Sequence, residues 1–131
     1  MRLELHELTR TMKGNIMEAE RELGKWCDKL NLKYQEIAAA KSLDIKFQLS
    51  REGYDTFSPY YCSEVTLDVT SKDNILDTHR IVIWECQRVF FGVPTKWNIP
   101  GSKIVGDLMD QPYENAALEL EGHLEAYLQK M

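Results

Sequence analysis

Leu43-Asp44-Ile45-Lys46-Phe47-Gln48-Leu49-Ser50 alternates apolar and polar residues without a break. A period of two marks a strand with one dry face and one wet face. Tyr61 to Thr70 repeats the pattern: Val65, Leu67 and Val69 share one parity, and Glu64, Thr66, Asp68 and Thr70 the other. The stretch between them, Arg51 to Pro59, holds Gly53, Asp55, Ser58 and Pro59 and reads as a loop; Ser71 to Asp77, rich in Asp and Asn, reads as the next turn. His79 to Phe91 differs, being apolar at both parities (Ile81 and Ile83, but also Val82 and Trp84). That predicts a strand covered on both faces or central in its sheet. Glu85 and Gln87 interrupt the Ile81/Ile83 face, which predicts a bulge or the strand end near Cys86.

Upstream of residue 43 the period is helical. Leu5, Leu8, Met12, Ile16, Ala19, Leu23, Trp26 and Leu30 are spaced by three or four, one apolar stripe on one long helix from about Leu3 to Lys29. Asn31 reads as its stop, and Tyr34 to Lys41 as a further turn or two. Downstream, Gly92 to Pro112 is punctuated by glycine and proline, with a short helix expected from Ser102 to Met109. Tyr113, Ala117, Leu120, Leu124, Tyr127 and Leu128 then mark a C-terminal amphipathic helix.

The resulting order, ααβββαα, predicts a single α+β domain over residues 1–131. It is a two-layer sandwich with a three-stranded antiparallel sheet, helices on one face and the other face open. The stripe creates a length conflict. About 26 helical residues extend ~39 Å, whereas a seven-residue strand extends ~24 Å. A break at Gly14-Asn15, packing on the C-terminal helix, or pairing with another chain would each resolve it. The third makes Leu5, Leu8 and Met12 candidates for a homodimer contact.

Composition bounds the function. Of 131 residues, 44% are hydrophobic and 28% charged, as in an ordinary globular domain. Net charge is −5, and residues 101–131 carry two basic against six acidic side chains. No basic footprint for phosphates is visible, so direct nucleic-acid binding is not expected, nor is an anionic membrane surface. A basic partner protein suits the acidic end better, with Glu114, Glu121 and Glu125 on the last helix and Glu64 and Asp68 on the second strand as candidate contacts; a merely solvated face is the plainer account. Cys27, Cys62 and Cys86 are odd in number and lack CxxC spacing, which argues against a disulfide framework or zinc site and for a reducing, cytoplasmic setting. No apolar run spans a bilayer and no signal-peptide core is visible near Met1.

No P-loop, GxGxxG, GxSxG, HExxH or EF-hand pattern occurs, so no cofactor is expected. His6, His79 and His123 sit in three different elements. His79 and Cys86 share one strand, but seven residues put them on opposite faces unless a bulge intervenes. A pocket near His79, Glu85 and Cys86, for a ligand or a reaction, stays an alternative. The loop aromatics Tyr54, Phe57, Tyr60, Tyr61, Phe90, Phe91 and Trp97 either seal the ends of a small sheet or face a partner. Tyr60 and Trp97, near prolines, are the best candidates for the second role. The expectation is a small acidic, non-catalytic protein-binding module, an inhibitor or neutraliser of the toxin-immunity or phage counter-defence kind. A homo-oligomeric component of a larger assembly, such as a phage particle, is the second reading.

Overall fold

The computed structural model describes residues 1–131. In chain order the elements are β1 (Arg2–Leu3), a 3-10 turn (Leu5–Glu7), α1 (Arg10–Lys33), α2 (Gln35–Ala40), β2 (Asp44–Glu52), β3 (Cys62–Ser71), β4 (Asn74–Phe90), β5 (Val93–Pro94), β6 (Lys103–Leu108) and α3 (Tyr113–Gln129). The α+β class holds, but the sheet has six antiparallel strands rather than three. Its order is β1-β6-β4-β3-β2, with β5 pairing the far end of β4.

Beyond the two-residue β5, two corrections account for the added strands β6 and β1. Lys103–Leu108 is a strand, not the expected short helix. Its apolar pair Ile104-Val105 suits either period, and pairing with β4 decides between them. Gly106 lies opposite Cys86, and a Cβ there would sit 1.9 Å from the Trp84 ring, so only glycine leaves the indole its place. The second correction concerns the N-terminus. Helix α1 starts at Arg10, where the Thr9 hydroxyl accepts from the Met12 N–H at 3.1 Å. Gly14 lies within the helix, and Asn31 does not end it. Leu3, expected at the start of the helix, is instead a buried strand residue paired with β6.

The double parity of His79–Phe91 comes from a bulge. Pairing shifts between Glu64↔Val82 and Ser63↔Trp84, leaving Ile83 as the extra residue, and both Ile83 and Trp84 are buried. The strand does not stop there, because β6 and β5 pair it as far as Phe90. The Ser71–Asp77 loop is also tighter than expected. Lys72 and Asp73 turn the chain in left-handed conformations, and Asn74 already belongs to β4.

The core lies between one sheet face and the two long helices. Ile16, Leu23, Cys27 and Leu30 of α1 and Ala116, Ala117, Leu120 and Leu124 of α3 meet Phe47, Val65, Leu67, Val69, Ile81, Ile83 and Trp84. Asn31 faces the edge of β2. Its amide accepts from the Phe47 N–H (2.8 Å) and donates to the Phe47 carbonyl (2.9 Å), so the middle of an otherwise open edge is satisfied. The loop after β2 seals one end: Trp84 Nε1 donates to the Thr56 carbonyl at 2.6 Å, and Phe57 meets the indole edge-on. No helix is long and apolar enough to cross a membrane.

Candidate functional site

With both long helices on one face, the polar parity of the strands lies uncovered. Cys62 faces Glu52 on one side and Glu85 on the other, one row across β2, β3 and β4. Around this row lies a cleft of about 470 Å³, closed along one wall by Tyr60, by Pro94 of β5 and by Thr95 and Lys96 beyond it. The Arg80 guanidinium pairs with Glu64, and Arg88 donates to Asn98 Oδ1 (3.1 Å) and Ser102 Oγ (3.2 Å). Glu52 and Glu85 have no cationic partner. Burial, with Glu85 and Glu64 adding to it, raises the Cys62 thiol above its ordinary value.

Tyr60 and Trp97 each hydrogen-bond Thr95 at the edge of this cleft. The Tyr60 hydroxyl donates to the Thr95 carbonyl and the Trp97 N–H to Thr95 Oγ1, both at 3.2 Å. Tyr60 holds a left-handed backbone (φ 74°), fixed by its N–H on the Cys86 carbonyl. Phe91 occupies the β4–β5 turn, also left-handed, with Val93 beyond it. Trp97 is 73% exposed and Phe91 90%, and Tyr60 and Val93 are each more than half exposed. The other loop aromatics divide. Phe57 and Tyr61 join the core, and Tyr54 is fully exposed.

The remaining candidates lie elsewhere. Glu64 and Asp68 are on the open face, where Asp68 accepts from the Thr78 hydroxyl at 2.9 Å. Glu121 and Glu125 on α3 bind inward: Lys33 pairs with Glu121, and the buried Tyr34 hydroxyl meets Glu121 at 2.7 Å and also reaches Glu125. Glu114 is exposed beside Tyr113, whose hydroxyl it raises. Leu8 and Met12 pack against the core, whereas Leu5 is exposed.

The bulge places His79 and Cys86 on the same, helix-covered face, contrary to the simple count. Seven residues of strand still hold them roughly 20 Å apart, and the cleft that Cys86 borders does not include His79. His79 stacks on His123 at 4.4 Å; its Nε2 meets Glu119 (2.7 Å), and that of His123 meets Asp77 (2.9 Å). Burial pushes the Cys86 and Cys27 thiols up to about 11, a protonated and poorly nucleophilic state at neutral pH. No group of three or more His, Cys, Asp or Glu side chains is placed to hold a metal ion.

Sequence reasoning missed Glu20. It is buried, accepts from the Tyr61 hydroxyl at 2.6 Å and pairs with Arg51 at 3.3 Å, at the floor of a second cleft of about 500 Å³. Its place directly after Ala19 on the stripe was the available signal. Comparison with protein-family models, curated proteins and solved structures gave no match to this chain. The site therefore rests on its own chemistry: an uncovered sheet face, a mixed-charge cleft and exposed aromatic side chains on the loops around it.

Proposed function

We propose that this chain is a protein-binding module that acts by occupying another protein, as a non-catalytic inhibitor or neutraliser inside the cell. The observation that carries this reading is the exposure of four large apolar side chains, Tyr60, Phe91, Val93 and Trp97, on the loops and turn around the β4–β5 hairpin. Large aromatics held in place lose little entropy on binding and dominate interface energetics. The protonated buried thiols favour binding over thiol chemistry.

A photo-crosslinking amino acid at position 97, compared with one at Lys29 on the helical side, tests the proposal in the cell of origin. The expected result is one dominant protein crosslinked from position 97, lost in Tyr60→Ala and absent from position 29. Equal or no crosslinking from the two positions overturns it.

A further inference from the structure

The cleft beside the exposed aromatics has a composition that names what enters it. Glu52 and Glu85 flank Cys62 in register, so their Cα atoms stand two strand spacings apart, about 10 Å. Both carboxylates are without a cation, whereas Arg80 of the same cleft is already taken by Glu64 just outside it. Tyr60 forms a fixed aromatic wall, held by backbone and hydroxyl at once. Two open carboxylates and an aromatic residue lining one cleft match a planar cation that donates in several directions. A guanidinium does this better than an ammonium, because its fork serves two acceptors while its face lies on a ring.

We propose that the cleft takes an arginine side chain of the partner protein, its guanidinium between Glu52 and Glu85 and its stem along Tyr60. This rests on the protein-binding reading above and specifies the partner's chemistry. The second cleft does not compete for the role, since Glu20 is already satisfied by Arg51 and Tyr61. Two cations border the site besides Arg80. Arg88 is tethered to Asn98 and Ser102, and Lys96 has no ion-pair partner. Lys96 therefore opposes the incoming charge, and removing it strengthens binding. The half-buried Cys62 thiol lies under the occupant and reports on it.

The test uses the intact chain and the peptide acetyl-Gly-Arg-Gly-amide, with its citrulline counterpart as the neutral control, at low ionic strength. The arginine peptide is expected to slow alkylation of Cys62 saturably and to shift the amide resonances of residues 52, 60, 62 and 85. The Glu52→Gln/Glu85→Gln variant should weaken this by at least about tenfold, and Lys96→Gln should strengthen it. All three positions are exposed and the changes nearly conserve volume, and an unchanged amide spectrum of each free variant verifies its fold. Equal effects of the citrulline peptide, undiminished binding by the double variant, or shifts centred elsewhere overturn the proposal. If crosslinking from position 97 succeeds while the arginine peptide fails, the arginine assignment alone falls. If the peptide binds while crosslinking fails, the protein-binding reading falls.

Discussion

Trp84 is fully buried against Gly106, and this contact tests how finely the core is fitted. Gly106→Ala would drive a methyl group into the indole, and neither the β6 backbone nor a ring enclosed by Phe57 and Thr56 can retreat. Overpacking of this kind costs about 1–3 kcal/mol, to be read as a lower urea midpoint with an unchanged slope. One strand away, Ser63 Oγ is buried without a hydrogen-bond partner. Ser63→Ala removes that orphan and is expected to be neutral or stabilising by up to about 1 kcal/mol; a clear loss would mean that the hydroxyl has a partner. Neither residue stands out in the sequence. Gly106 reads there as loop punctuation, and Ser63 falls on the dry parity of its strand as a small polar exception. The exposure of Tyr60 and Trp97 was legible, because a loop ring near proline carries its own signal. The Glu52–Cys62–Glu85 row was not, since cross-strand register exists only once strands pair.

At the scale of elements, α1 is tied at its C-terminal end to the sheet through Asn31 and to α3 through Lys33 and Tyr34. Asn31→Ala strips both polar partners from Phe47 at the sheet edge. The expected cost is about 1–2 kcal/mol, together with increased self-association in light scattering as the edge becomes available to another chain. The α3 contact makes a pH prediction. The hydrogen bond from Lys33 holds the Glu121 carboxyl below its ordinary 4.5, and that from His79 does the same for Glu119. On acidification the unfolded chain takes up these protons first. The stabilisation is therefore complete above the unfolded value and is lost as pH falls through the lower folded values. The urea midpoint should drop below about pH 4.5, and Glu121→Gln should flatten that acid limb; an unaltered limb removes Glu121 from the account. Long elements such as α1, β2, β3 and α3 repeat their period often enough to be read from sequence. Strands β1 and β5 have two residues each, too few to show any period, and β4 changes parity at its bulge.

For the whole molecule, the length conflict posed by the apolar stripe is resolved without a second chain. Strand β4 has 17 residues, which extend roughly 56 Å. Helix α1, with 24 residues, extends about 36 Å. The sheet is thus longer than the helix, and the first nine residues are not part of the helix at all. Leu3 enters the core at 2% exposure, the Met1 amine pairs with Asp110 at 2.7 Å, and Leu8 and Met12 pack inward. Only Leu5, 63% exposed, remains of the three residues that suggested a homodimer. Leu3→Asp and Leu5→Asp therefore separate an intrachain role from an intermolecular one. An aspartate at position 3 buries a charge among apolar neighbours, and its stability should fall by about 3 kcal/mol or more, or β1 should detach from β6. At position 5 the same change should stay within about 0.5 kcal/mol and leave the molar mass from light scattering unchanged. If Leu5→Asp instead lowers the mass while the fold persists, Leu5 anchors a second copy, and the N-terminal turn is an interface in addition to the exposed aromatics. If both variants unfold alike, the 3-10 turn is packed more closely than its exposure implies.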